Sequence, residues 1–240
     1  MSHTKRADSS SSITTYAQGV LKRIAIMRNP YLVGLADGSM SRACFQLTQE
    51  QFFFAVTFFP RPMAALVGRV EDPHVRLNIL HNLVEEHGEF DVRGFHHNTF
   101  REFLRRLGSK VETLDATSIW PEVRAFNSVL TTACVLDELE VGVACMGAIE
   151  QAFAGISAAI GGGVVNRGWL AAEQLIHYKL HAEIDERHAE EFFTVIGPRW
   201  GDRARRYYVM QGLELGAYIF DRLYRDLYSK GRALTRAPRA

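Results

Sequence analysis

Only three cysteines occur in 240 residues, Cys44, Cys134 and Cys145, and no two of them form a Cys-x-x-Cys pair. That spacing argues against a disulfide scaffold, a thiolate-rich structural zinc site or an iron–sulfur cluster. Cys134 and Cys145 sit in apolar helical sequence, where a free thiol behaves as a small buried hydrophobe, so a reducing cytoplasmic setting fits. Charge of one sign is also lacking. With 28 basic and 27 acidic residues the formal charge is +1, and no global field points to nucleic acid or an anionic membrane. Arg203 to Arg206 read as an ordinary solvated face, and residues 231–240 as a flexible basic tail. No stretch reaches the ~18 uncharged apolar residues of a membrane span. The triple glycine at 161–163 is neither preceded by a strand nor followed by Lys-Ser/Thr, so it reads as a helix-ending loop and not a phosphate cradle.

What the chain does have is helical periodicity. At 47% hydrophobic content, 240 residues support one domain with a sizeable core. Residues 1–14 are polar and Ser-rich, without the apolar run of a signal peptide, and are expected to be a disordered leader. The domain then spans 15–230. Almost every segment in it repeats its apolar positions at helical spacing, and Pro and Gly fall mainly between segments. An all-α fold is expected. Ser39 or Ser41 offers an N-cap for a helix through FQLTQEQFFFAVTFF, which Pro60 and Pro62 should kink or break. Asp72-Pro73 is a good start for a helix to Glu86 or beyond, Gly88 and Gly94 loosen its end, and HHNTFREFLRRLG closes at Gly108.

His181, Asp185 and His188 lie at i, i+4 and i+7 in a segment rich in Ala, Glu and Leu. On a helix turning about 100° per residue they fall within an arc of roughly 60°, so two imidazoles and a carboxylate can meet at one point. A solvated face on which they align by chance is the bland alternative. Two other clusters weigh against it. HNLVEEHGEFDVRGFHH crowds Glu85, Glu86, Glu89, His87, His96 and His97 around a helix end, and Glu150 stands alone among Met146, Ile149, Phe153 and Ile156. A carboxylate in such company is costly unless it is paired or metal-bound. Glu86, His96 and Glu150 with His181, Asp185 and His188 make three carboxylates and three imidazoles, a set that suits two irons, or manganese with iron, better than a tetrahedral zinc. Ferritin-like sites use two Glu-x-x-His motifs, and only Asp185-x-x-His188 approximates one here.

At this point the chain resembles the heme-oxygenase-like di-metal oxidases, which share a helical fold with thiaminase-like and pyrroloquinoline-quinone-synthase-like proteins. The resemblance covers roughly Pro30 to Leu227. It is carried by NPYLVGLADGSMSRACFQLTQEQFFFAV, by HNLVEEHGE followed by a His, by the lone Glu150 and by His-x3-Asp-x2-His at 181 to 188. It implies a single-domain helical bundle and places the ligands at Glu86, Glu150, His181, Asp185 and His188. For the remaining ligand it leaves His96 or His97. Counting back from Leu107-Gly108 favours His96, whereas rotation along one unbroken helix from Glu86 would favour His97. The implied chemistry is O₂ activation at a di-iron centre, with oxidation of a small-molecule C–H, C–C or N–H bond and electrons from a donor. Members related to a chlamydial death-domain-associating protein form p-aminobenzoate from one of their own tyrosines. The lysine expected in them about three turns after the glutamate ligand has no counterpart in AFAGISAAIGGG, and Tyr31 lies near their tyrosine without clear register.

Phe52, Phe53, Phe54, Phe58 and Phe59 are expected to be mostly core, with Phe54 and Phe58 the candidates for substrate contact. His177 and Tyr178 are candidate outer partners of the ligands, and Arg61, Arg93 and Arg167 are candidate carboxylate clamps. Two other readings compete. One is a metal-free enzyme, either a cofactorless oxidase or a thiamin-salvage hydrolase with Cys134 or Cys145 as nucleophile. The other is a helical interaction module with a vestigial metal site. A homodimer is compatible with all three readings.

Overall fold

A computed structural model describes residues 3–115 and 118–236. Ten α-helices lie among them: α1 (His3–Ile24), α2 (Pro30–Ala36), α3 (Arg42–Val56), α4 (Pro60–Arg69), α5 (Pro73–Glu86), α6 (His96–Leu107), α7 (Pro121–Thr131), α8 (Leu139–Asn166), α9 (Ile176–Ile196) and α10 (Arg203–Arg236). No strand occurs among the described residues, so the all-α expectation holds.

The punctuation is local chemistry. Ser41 caps α3 by accepting from Cys44 N at 3.1 Å, and Asp72 caps α5 by accepting from His74 N at 2.8 Å. Pro60 ends the preceding helix and becomes the first residue of α4. Gly108, at φ 102°, ends α6 in the left-handed conformation that glycine adopts without strain.

Helix α8 is the axis of the molecule and packs most extensively against α9 and α10. It is the one described helix long and apolar enough to cross a membrane, with mean hydropathy 1.5 over its best window, and 78% of that window is buried inside the fold. A helix hydrophobic all round is what the centre of a bundle requires.

Three expectations are corrected. The triple glycine does not end a helix: α8 runs through it to Asn166. Gly163 lies where a Cβ would come within 2.7 Å of the Leu35 side chain, so its bare backbone lets α2 pack close, and that burial offsets glycine's poor helix propensity of about 1 kcal/mol. The Ser-rich leader is helical from His3, continuous with a turn anchored by the fully buried Ile13 and Ala17. Likewise α10 continues to Arg236, into the stretch expected as a flexible tail, because Gly231 packs against Thr48 and Cys44 of α3 and holds the last turns down.

The α8–α10 crossing depends on Gly216, where an added Cβ would collide with the Cys145 carbonyl oxygen. Backbone cannot step aside as a side-chain tip can. Gly216→Ala is expected to cost about 1–3 kcal/mol, a Tm lower by about 3–10 °C, checked by thermal unfolding; an unchanged or raised Tm would contradict this close approach.

Candidate metal centre

Each of the six predicted ligands is buried: Glu86 on α5, His96 opening α6, Glu150 at mid-α8, and His181, Asp185 and His188 on α9. Helical phase aligns the α9 trio as expected, and α8 lies directly against that face. Ligand atoms of Glu150, Asp185 and His188 all fall within 4.8 Å of one another. Glu86 Oε1 lies 3.0 Å from His96 Nδ1, and the His96 ring is 4.5 Å from that of His181, centroid to centroid.

His96 and not His97 faces the cluster, because α5 and α6 are not one helix. Two 3₁₀ turns, Gly88–Phe90 and Val92–Gly94, intervene, and a His87–Phe95 bridge closes the loop. Glu89 and Phe90 both take positive φ, 51° and 70°, a conformation that costs non-glycine residues energy and concentrates at functional loops. Gly88 (φ 56°) lies so close to the Gly94 backbone that no Cβ fits. The strained loop resets the rotation and delivers His96 beside Glu86. His97 stacks on Phe53 at 5.0 Å, His87 Nδ1 bonds the Leu83 carbonyl at 2.8 Å, and Glu89 is exposed.

The electrostatics single this cluster out. Glu140, the other deeply buried acid on α8, has Arg199 and Arg205 at 3.6 and 3.5 Å. Among the described residues, the ion-pair partners of Glu86, Glu150 and Asp185 are histidines. Burial therefore pushes the Glu150 carboxyl up to about 7 and Asp185 well above its ordinary range. For His188, burial opposes the charge, but Glu150 and Glu85 outweigh it and raise it to about 10. Burial beside His96 drives His181 down to about 3.

Five atoms of the cluster have no hydrogen-bond partner: Glu150 Oε1, Asp185 Oδ2, His181 Nε2, His188 Nδ1 and His96 Nδ1. His96 Nδ1 touches Glu86 without hydrogen-bond geometry, as two ligands of one ion do. Left bare, such atoms cost about 1–3 kcal/mol each. A cation bound by carboxylate oxygen and imidazole nitrogen satisfies several at once, so the donor set fits metal.

The opposite ring nitrogens are held. His181 Nδ1 bonds Asp185 Oδ1 at 2.7 Å, which turns Nε2 to the cluster. His188 Nε2 bonds Glu85 Oε2 at 2.7 Å, which turns Nδ1 inward, and Arg187 donates to the other Glu85 oxygen at 2.6 Å. Glu85 is the partner that sequence reasoning missed. Its only signal was adjacency to Glu86, and the 100° step between them sends Glu86 to His96 and Glu85 to His188.

Other expected site residues lie elsewhere. Tyr178 donates its hydroxyl to Gln49 Oε1 and touches no ligand carboxylate, because one residue's rotation from His177 aims it at α3. The cavity at the cluster is lined by Phe52, Val56, Phe59 and Phe153, whereas Phe54 and Phe58 line a separate groove with Ile119 and Asn127. Positions 52, 55, 56 and 59 make one helical stripe and 54 and 58 the opposite one. Arg167 donates to the Leu35 and Met40 carbonyls, Arg93 pairs with Asp91, and Arg61 lies over the Phe58 ring at 5.4 Å, so none lines the cavity.

Fold and site together define a helical-bundle protein with a buried carboxylate–histidine centre. Solved structures agree on the fold. A domain of unknown function with a heme oxygenase-like fold from Shewanella denitrificans superposes with TM-score 0.73 at 15% identity, covering 95% of this chain and 94% of that one. A TenA homolog from Pseudomonas syringae gives 0.70 at 16% identity, covering 94% and 93%. The family model described as iron-containing redox enzyme matches residues 47–219, and the chain belongs to that family. Its relatives include proteins named 4-aminobenzoate synthase: that of Chlamydia muridarum is 22% identical over 173 residues, 72% of each chain, and that of Nitrosomonas europaea 22% identical over 182 residues, 71% of this chain and 72% of its own.

Removing Glu86 and removing Glu85 should differ. Glu86→Ala is expected to lower the iron bound per chain, whereas Glu85→Ala should keep the stoichiometry and weaken affinity about 10–100-fold. Iron content together with competition against a chelator separates the two, and identical behaviour would contradict the assignment.

Proposed function

We propose that the protein is an O₂-dependent non-heme oxidase or oxygenase that holds two irons, or manganese with iron, and oxidises a C–H, C–C or N–H bond of a small molecule. One observation carries the reading: five of the six buried candidate ligands each leave an atom without a partner, and Glu86, Glu150 and His181 line a cavity whose other walls, His177 apart, are apolar. When bound, such a centre supplies the electrons that convert O₂ into an oxidant, and an external donor replenishes them. Everything else falls to this chain. Glu86 and His96 on one side, Glu150, Asp185 and His188 on the other, and His181 between them are the groups that would hold the metals. Asp185 and Glu85 orient the imidazoles. Phe52, Phe59, Phe126 and Phe220 exclude water and receive the apolar body of a substrate.

The relatives named 4-aminobenzoate synthase support oxidative work in small-molecule biosynthesis. Their product is not carried over: identity is low, and α8 has no lysine after Glu150. The unpaired cysteines fit the reducing interior of a cell.

The hydrolase alternative needs a reactive thiol. Cys134 and Cys145 are fully buried, and burial pushes Cys134 up to about 12 and Cys145 well above the ordinary thiol range. So few thiolates form near neutral pH that neither suits a nucleophile. Both are expected to resist a thiol reagent in the native protein and to react only on unfolding. Rapid native labelling of either would revive that alternative.

Anaerobic loading with Fe(II) is expected to give about two irons per chain and O₂ uptake on aeration, with both reduced in His181→Ala. A wild-type chain that takes up no iron would end the proposal.

A further inference from the structure

His177 is the one polar residue of the cavity wall outside the six ligands. It is fully buried, and its ring packs against Phe100 at 4.7 Å and His181 at 4.3 Å between centroids. It lines the same cavity as Glu86, Glu150 and His181. Nδ1 lies 3.2 Å from Thr99 Oγ1, and the Thr99 hydroxyl donates to the His96 carbonyl at 3.1 Å. A hydroxyl has one proton to give. Thr99 therefore accepts at its oxygen from His177 Nδ1–H, which leaves Nε2 as a bare lone pair. Nε2 is buried and has no partner. A fixed acceptor of this kind, left unmatched in an apolar chamber, discriminates by what satisfies it.

Space limits what enters. The cavity holds ≈ 420 Å³ free of atoms, its mouth included, and the centre of a water-sized molecule reaches only ≈ 40 Å³ of it. No arginine or lysine lines it. The wall itself therefore offers no side-chain cation to a free carboxylate or phosphate, which would face Glu86 and Glu150 there.

We infer that His177 is the substrate-recognising residue of this site, accepting a hydrogen bond from an O–H or N–H group on a small, otherwise apolar substrate. This rests on the metal-centre reading for its place in a reaction, although the binding it describes does not require metal. The lone pair orients the substrate by its donor and sets the carbon or nitrogen next to that donor against the ligand face. His177 is thus a positioning and specificity residue and not a seventh ligand.

Benzyl alcohol and ethylbenzene are matched in shape and differ by a hydroxyl against a methyl; benzaldehyde accepts hydrogen bonds and cannot donate. Their dissociation constants are to be measured by ligand-detected NMR on the protein as isolated, on His177→Phe and on His177→Gln, whose amide oxygen restores an acceptor. Loss of one hydrogen bond predicts benzyl alcohol binding about tenfold weaker in His177→Phe relative to ethylbenzene, with much of the loss recovered in His177→Gln and benzaldehyde following ethylbenzene. Parallel changes for all three probes, a selective loss of benzaldehyde, or no saturable binding of any probe to wild type would overturn the inference. Iron content of the same samples separates the two readings. Iron retained in His177→Phe supports a substrate role, and iron lost as in His181→Ala makes His177 a ligand and overturns it. A wild-type protein that takes up no iron on anaerobic Fe(II) loading sinks the metal reading alone, because the ratio of probe affinities still reports on His177.

Discussion

Burial of three carboxylates among imidazoles, with no arginine or lysine to pair them, is the constraint around which this molecule is arranged. Water would solvate these groups at far less cost, and Glu140 shows how the same helix handles an acid that serves only structure, with two arginines reaching it. The cluster instead leaves its inward oxygen and nitrogen atoms bare and ties its outward ones to fixed partners. Polar groups held in that way fit a cation that satisfies several of them at once.

The bundle supplies the stiffness this arrangement needs. Glycines lie where helices must approach closely: Gly163 of α8 faces Leu35 of α2, Gly147 of α8 faces Phe192 and Phe193 of α9, and Gly212 and Gly216 of α10 face the α8 backbone. Four helices contribute the candidate ligands, and helix packing sets their relative rotation. The strained loop between α5 and α6 is the exception to regular geometry, and it lies where two ligands must be brought together from consecutive elements. Strain of that kind persists only where surrounding contacts enforce it.

Second contacts then divide the site into faces. On the outer side, Glu85 and Arg187 link His188 to the solvent-exposed His81 and the half-buried Glu191. On the inner side the wall is aromatic, and His177 interrupts it. Residues adjacent in sequence fall on different faces: Glu85 outward and Glu86 inward, His177 into the cavity and Tyr178 toward Gln49. A step of about 100° per residue makes each such pair a division of labour.

Periodicity in the sequence by itself determined that the chain is helical, that α9 carries a ligand face, and that Glu150 is a buried acid in need of a partner, because 3.6-residue spacing and solvation cost are local properties. Ser41, Pro60 and Asp72-Pro73 likewise marked the starts of α3, α4 and α5. Relations across the fold were decided only by tertiary structure. Which of His96 and His97 turns inward depends on a loop whose backbone is set by the close approach of Gly88 and Gly94. Which phenylalanines meet the cavity depends on how α3 is rotated against its neighbours, and with five of them in one segment the pattern alone is degenerate. The triple glycine reads locally as an end, yet it continues a helix, with Leu175 packed at Gly161 and Leu35 at Gly163. Local chemistry chose the groups; the packing of distant helices chose their directions.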